Sequence, residues 1–325
     1  MRVLSGEEVA RLLPMDQAVE VIDRVMRVVS AGGAHLPLRN VVPVGGDNMM
    51  GVMPGALSEP GCFGVKLISL FPGNSDRGLS SHRGALVLFE PDTGGAVAMM
   101  DASLLTAIRT AAASAVATRT LARTDARTLT LIGTGEQAEH HLAAMRVVRA
   151  IDHVTVVGRS MASANRFAEA ARTRHPGLAI TATTDTAAAV AAADIVCTVT
   201  ASATAVLQGA WVRPGTHLNI VGASVPSKRE VDDDTVLASR VYVDYRPSAL
   251  AQAGEIVDMI AAGRIDAGFL RGEIGAVLSG DIQGRSAADQ ITLYRSLGIA
   301  AQDLAAASHV LTAAQAQGLG QLVRL

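Results

Sequence analysis

The run Thr128-Leu129-Thr130-Leu131-Ile132-Gly133-Thr134-Gly135-Glu136-Gln137-Ala138 decides the fold of the second part of this chain. Its apolar half predicts a strand, its Gly-x-Gly-x-x-Ala half a tight turn, and the residues from Gln137 to about Arg149 a helix. Glycines allow such a turn and let backbone N–H groups approach a pyrophosphate at the helix N-terminus. Gly133, Thr134, Gly135, Gln137 and Ala138 are therefore candidate cofactor-binding residues. The next strand, HVTVVGR, ends in Val157-Gly158-Arg159-Ser160. An acidic residue there would hold the ribose 2′-hydroxyl of NAD, whereas a guanidinium and a hydroxyl suit a 2′-phosphate. Gly158, Arg159 and Ser160 join the candidate site, with NADP(H) favoured and NAD possible.

Outward from this turn, apolar strands alternate with helices: a helix from Ala162 to Arg174, LAITAT, a helix over 186–193, DIVCTVT, HLNIVGA and RVYVD. Repeated strand–helix–strand units predict a doubly wound parallel sheet of the Rossmann type. The N-terminal part differs. Residues 6–31 carry apolar residues every three or four positions and predict one helix. From Val41 to about Met100 short strand-like runs follow one another, and Pro91-Asp92-Thr93-Gly94-Gly95 predicts a hairpin between ALVLFE and AVAMM. An Ala-rich helix, SLLTAIRTAAASAVATRTLA, then leads into the nucleotide domain. Helical patterning returns near Ser248 and from Ser296 to the end. The expected fold is α/β: a Rossmann domain over 123–295, preceded by an α+β part over 1–122.

The 325 residues carry 28 Lys+Arg against 30 Asp+Glu, a balance that argues against a general nucleic-acid surface. No apolar stretch is long enough to span a membrane, and the N-terminus lacks a secretory pattern, so a cytoplasmic location is expected. Cys62 and Cys197 stand apart from any CxxC or Cys/His grouping and are expected to be buried thiols. His140-His141 has poor chelating geometry on a helix, and no metal site is expected. The acidic run Glu230-Val231-Asp232-Asp233-Asp234 reads as a helix cap, and Trp211 as packing.

Three cations in the N-terminal part stand out: Arg39, Lys66 and Arg109. Lys66 lies inside Gly64-Val65-Lys66-Leu67-Ile68-Ser69-Leu70, so it points to one face of an otherwise apolar strand. A lysine there needs an anionic partner or shifts its pKa. Arg109 lies in the Ala-rich helix, and a guanidinium suits bidentate grip of a carboxylate.

With these residues the chain as a whole resembles the ornithine cyclodeaminase/mu-crystallin family. The resemblance rests on Gly64-Val65-Lys66, Ser81-His82-Arg83-Gly84 before a strand ending in Glu90-Pro91, and Leu105-Thr106-Ala107-Ile108-Arg109-Thr110-Ala111-Ala112. It continues through the glycine turn, His217-Leu218-Asn219-Ile220-Val221-Gly222-Ala223-Ser224 and Ser296-Leu297-Gly298. It implies that both chain ends, 1–122 and 296–325, form one α+β domain for substrate binding and dimerisation, with a homodimer through its sheet. It implies further that Arg39, Lys66 and Arg109 hold a substrate carboxylate with His82 nearby, and that Arg109, Thr110, Thr200, Val221, Gly222, Ser224 and Gly298 contribute to the cofactor site.

Within the family, cyclodeaminases and related alanine dehydrogenases place an Asp where this chain has Ser224, as mu-crystallin-like ketimine reductases do. An unperturbed serine cannot act as general base near neutrality, so water activation for deamination lacks its agent. Imine reduction needs less: a protonated C=N held in line for hydride, with its carboxylate neutralised. The resemblance thus implies NAD(P)H-dependent reduction of a small ketimine carboxylate such as Δ1-pyrroline-2-carboxylate or Δ1-piperideine-2-carboxylate, with Lys66, His82 and Ser224 as candidate catalytic residues. Solvent, Lys66 and His82 all stand as proton sources. A cyclodeaminase, an L-amino-acid dehydrogenase and a non-catalytic NADP(H) binder are the alternatives. His35, Met50, Met53 and the stretch Asn74–Ser81 are expected to wall the substrate pocket, with Met50-Gly51-Val52-Met53 making it apolar.

Overall fold

The computed structural model describes residues 1–324, the side chains of Ser75 and Asp76 excepted. The chain forms two compact units, Met1–Ala112 with Ile299–Leu325, and Ala113–Gly298. The boundary falls inside the Ala-rich helix rather than after it, at the Arg123 break read from the sequence.

Along the N-terminal part run β1 (Arg2–Leu4), α1 (Gly6–Leu12), α2 (Met15–Ser30), β2 (Ala34–His35), β3 (Asn40–Gly45), β4 (Asn48–Leu57), β5 (Cys62–Leu70), β6 (His82–Phe89), β7 (Ala96–Asp101) and α3 (Ala102–Leu121). The single helix expected over 6–31 is two. Pro14 has no N–H to donate and its ring obstructs the preceding turn, so α1 ends at Leu12 and Pro14 becomes the N-cap of α2. Ser5 opens α1 with a capping box to Glu8. The hairpin between β6 and β7 forms as expected. The Glu90 carboxylate accepts the Thr93 hydroxyl and the N–H groups of Gly95, Thr93 and Asp92, which hold it well below the usual carboxylate range.

The second unit continues with β8 (Thr128–Ile132), α4 (Glu136–Val148), β9 (His153–Val157), α5 (Met161–Arg174), β10 (Ala179–Thr183), α6 (Thr186–Ala191), β11 (Ile195–Thr198) and β12 (His217–Ile220). There follow α7 (Asp233–Ala238), β13 (Ser239–Val243), α8 (Arg246–Gln252), α9 (Gly254–Ala261), β14 (Gly272–Glu273), α10 (Ile274–Ser279) and β15 (Ile291–Arg295). Its sheet runs β10-β9-β8-β11-β12-β15-β13-β14, and every pairing is parallel. That is the doubly wound arrangement expected, with two strands the sequence reading missed: β15, which inserts between β12 and β13, and the two-residue β14 at the edge. The C-terminal part of α3 lies in this unit, and its small residues admit polar neighbours. Asn219 donates to the Thr118 hydroxyl at 2.9 Å, and Ser114 pairs with His141 at 3.0 Å. Burial without a counter-ion pushes His141 down to about 4 and His217 down to about 3.

The chain then returns through α11 (Ala300–Gln317) and β16 (Gln321–Leu322) to complete the first unit. The sheet of that unit runs β16-β1-β7-β6-β5-β4-β2, with β3 also on β4. Helices α2 and α11 pack together, and α11 lies on β4, β5 and β6. Gly64 makes this close approach possible: a Cβ there would come within 2.4 Å of the Val87 carbonyl oxygen and 2.9 Å of the Leu304 side chain. Among the described residues no helix is long and apolar enough to cross a membrane.

Candidate active site

Strand alternation assigns Lys66 its side. In the register Met53↔Lys66↔Leu86, all three side chains share the face of the first sheet on which α11 lies. Position 303, one turn along α11 from Ala300, carries an aspartate in an otherwise apolar stretch. Lys66 Nζ lies 2.9 Å from Asp303 Oδ1 and 2.8 Å from Oδ2, and 3.3 Å from the Thr106 hydroxyl on α3. Arg109 donates Nε to Asp303 Oδ1 at 2.9 Å and Nη1 to Gln302 Oε1 at 2.9 Å. All three charged groups are buried, at 2% exposure for Lys66, 4% for Arg109 and 0% for Asp303.

One carboxylate thus stands between two cations, and the group carries a net positive charge inside the protein. Such a site is stable only weakly without a further anion. Lys66 responds by losing affinity for its proton. Burial, with repulsion from Arg109 and a smaller one from Arg39, outweighs the attraction of Asp303 and pushes the ammonium down to about 7. Half-buried His82 follows the same logic. Burial and the charges of Lys66 and Arg109 push it down to about 4, so the imidazole is neutral near pH 7. Its Nδ1 lies 3.0 Å from the Ser81 hydroxyl, which fixes the ring. Lys66, Arg109 and His82 are therefore brought together, with Arg39 close enough to act on Lys66 electrostatically.

Asp303 is the residue sequence reading missed. Its only signal is an acidic residue within Ala300-Ala301-Gln302-Asp303-Leu304-Ala305-Ala306, where the helix is otherwise apolar. Two pocket-wall expectations also change. Met53 shares the Lys66 face, but Met50, three residues away along β4, lies on the opposite one, and the pairing His35↔Ala56 puts His35 there too. In the stretch Asn74–Ser81, the side chains of Ser75 and Asp76 lie outside the described residues.

In the second unit, the expected cofactor residues gather at the C-terminal ends of parallel strands, where open α/β sheets bind their ligands. Gly133 follows β8 with φ +124°, and a Cβ would lie 2.8 Å from the Val199 carbonyl oxygen, so only glycine serves. Gly135 is the N-cap of α4, has nothing within 4 Å of its Cβ position, and makes no side-chain cap. With no side chain capping it, the N-terminus of this 13-residue helix fits a pyrophosphate. Thr134, Gln137 and Ala138 belong to this turn and first helical residues. Gly158, Arg159 and Ser160 follow β9, Arg159 exposed and Ser160 capping α5. Thr200 follows β11, and Val221, Gly222 and half-buried Ser224 follow β12. Gly298, after β15, gives its N–H to Asp244 Oδ2 at 2.7 Å, so its place here is conformational, at φ +74°. Arg109 and Thr110 lie in the first unit, both buried.

Among the described residues no group of three or more His, Cys, Asp or Glu is placed to hold a metal ion. Cys62 and Cys197 are free and buried, and burial pushes their thiols up to about 11 and about 12. In the acidic run, Asp232 caps α7 through Thr235, whereas Glu230 points elsewhere and is fully buried.

The ketimine reductase mu-crystallin of Mus musculus is 33% identical over 280 residues, covering 86% of this chain and 85% of that protein. The structure of Thermococcus litoralis Δ1-pyrroline-2-carboxylate reductase in complex with NADH and L-proline superposes with a TM-score of 0.95 at 33% identity, over 99% of this chain and 100% of that one. An archaeal alanine dehydrogenase dimer with bound NAD gives 0.93 at 30% identity, over 100% and 99%. The family model for ornithine cyclodeaminase/mu-crystallin matches residues 1–318, and with those relatives it establishes that the chain belongs to the ornithine cyclodeaminase/mu-crystallin family.

Proposed function

We propose that this enzyme reduces a cyclic ketimine carboxylate, Δ1-pyrroline-2-carboxylate or Δ1-piperideine-2-carboxylate, to the L-imino acid, with NADPH as the preferred coenzyme. NAD(P)H-dependent imine reduction is its class of activity. The observation that carries the substrate assignment is the buried Lys66–Asp303–Arg109 group, which has one positive charge more than its own carboxylate neutralises. A small carboxylate supplies the missing charge.

Asp303 and Gln302 fix the plane of the Arg109 guanidinium, and its outer edge, with Arg39, grips the substrate carboxylate. This orients the imine with its nitrogen toward Lys66. When bound in the second unit, the reduced nicotinamide supplies a hydride to the imine carbon. Lys66 gives the nitrogen its proton, so that C=N becomes CH–NH with one hydride and one proton added. An acid with its pKa near 7 is well matched to that transfer. His82, neutral at the same pH, serves as a hydrogen-bonding wall instead. Ser224 supplies a hydroxyl where a carboxylate base would be needed to activate water, which favours reduction over deamination.

Coenzyme preference rests on Arg159 and Ser160 after β9. Assays with both cyclic imines are expected to show oxidation of NADPH with kcat/KM at least about tenfold above NADH, a preference lost in Arg159→Ala. Release of ammonia from L-ornithine with no net coenzyme consumption would overturn the assignment.

A homodimer is proposed through the face of the first sheet opposite α11. That face carries Val52, Val65, Leu67, Val87 and the stacked pair Phe63–Phe89, half-buried or exposed, with ring centroids 5.2 Å apart. Sedimentation is expected to give twice the 33.5 kDa of one chain. A single-chain mass at all concentrations would exclude it. The cytoplasm, where the free thiols Cys62 and Cys197 stay reduced, is the proposed compartment.

A further inference from the structure

Glu230 is a fully buried carboxylate whose partners are neutral donors drawn from two strand ends. Its Oε1 accepts the Thr200 backbone N–H at 2.8 Å and the Thr200 hydroxyl at 2.7 Å. Its Oε2 accepts the Thr198 hydroxyl at 2.8 Å and the Gly222 N–H at 2.6 Å. Thr198 ends β11, Thr200 lies two residues beyond it, and Gly222 lies just after β12. Between the two threonines, Val199 presents the carbonyl against which Gly133 of the glycine turn is packed. Gly222 is forced to be glycine by the same tightness, since a Cβ would lie 2.0 Å from the Thr200 carbonyl oxygen and 2.7 Å from Glu230 Oε1. On its other side the loop after β12 is gripped by buried Arg295, which pairs with Glu255 and donates to the carbonyl oxygens of Ile220 and Ala223.

In a doubly wound sheet of this order, β8 and β9 serve the adenosine half of a dinucleotide, and β11 and β12 serve the other. We propose that Glu230 is the positioning residue of the nicotinamide half. It acts through Thr200 and Gly222, whose backbone it locks in the pose that receives the coenzyme. This rests on the reading of the second unit as the coenzyme domain. Burying a carboxylate with no cation is costly. Four short hydrogen bonds offset that cost, and what they secure is the relative placement of two loops rather than a core.

Glu230→Gln is the direct test. An amide NH2 on either side of the side chain meets two donors. A hydroxyl can rotate to accept from it, but the Thr200 or Gly222 N–H cannot, and so loses its acceptor. In folded Glu230→Gln, the Kd for NADH read by nicotinamide fluorescence is expected to rise about tenfold and kcat at saturating NADH to fall about tenfold. The KM for the imine, set by residues of the first unit, stays within about twofold. A role confined to stability would lower the melting temperature and leave Kd and kcat of the folded protein unchanged, and that result overturns the proposal. Should Glu230→Gln not fold, Thr198→Val decides. It removes one donor without touching either backbone anchor, and a rise of about threefold in the NADH Kd supports the proposal while no rise overturns it. Wild-type protein that binds neither NADH nor NADPH sinks the coenzyme reading together with this one, whereas wild-type binding with unaltered variants sinks this one alone.

Discussion

Replacing Lys66 by methionine is expected to lower kcat/KM for the cyclic imine by about 10³-fold, the middle of the range for loss of a positioned general acid and equivalent to about 4 kcal/mol of transition-state stabilisation. Methionine keeps the unbranched shape of the side chain, one atom shorter, and Asp303 keeps its pairing with Arg109, so the fold and the carboxylate grip should survive. The pH dependence carries the sharper test. Lys66 is pushed down to about 7 by burial and by Arg109, and the protonated form is the acid, so the wild-type kcat/KM should fall tenfold per pH unit above about 7. A bound substrate carboxylate favours the ammonium and raises this pKa, so the fall in kcat should begin at higher pH than that in kcat/KM. If the inflection belonged to the imine itself, it would persist in Lys66→Met. A variant within tenfold of wild type, or one that keeps the inflection, removes Lys66 from the role of acid.

Much of this site could be read before any coordinates because its chemistry is local in sequence. The glycine turn at 133–138 follows a strand and opens a helix within a dozen residues, and Lys66 declares its face by simple alternation along β5. What could not be read is what depends on contacts far apart along the chain. Strand β15 is five residues long and pairs in parallel with β12 and β13, so no turn announces it. Asp303 meets Lys66 across 237 positions, and only its oddity in an apolar helix hints at a buried partner. Glu230 sits two residues before the true cap of α7, in the same acidic run, and spacing alone does not separate the two. The burial that separates it from Asp232 depends on loops from β11 and β12 folding over it. At Pro14 the apolar period continues on either side and masks a break that the missing N–H enforces.

Asp303→Asn removes charge from the centre of the same group, and its effect separates charge placement from mere packing. In the native protein Asp303 is the one attraction that raises the Lys66 pKa against burial and two arginines. Asparagine of equal size abolishes that attraction, so Lys66 is expected to lose its proton at still lower pH and to be mostly neutral at pH 7. The acid is then missing when the imine arrives, and kcat at pH 7 should fall about 10²-fold. The substrate carboxylate, however, meets no less positive charge from Arg39 and Arg109 than before, and KM should not rise. The inflection in kcat/KM should move to the acidic side, with part of the activity recovered as the pH is lowered toward it. Removing one member of a buried ion group commonly costs about 3–5 kcal/mol, and the carboxylate product L-proline, which restores the lost negative charge, should stabilise the variant more than it does the wild type. A loss of kcat with an unmoved pH profile would mean that Asp303 only holds α11 against the sheet. A moved profile assigns it to setting the proton affinity of Lys66.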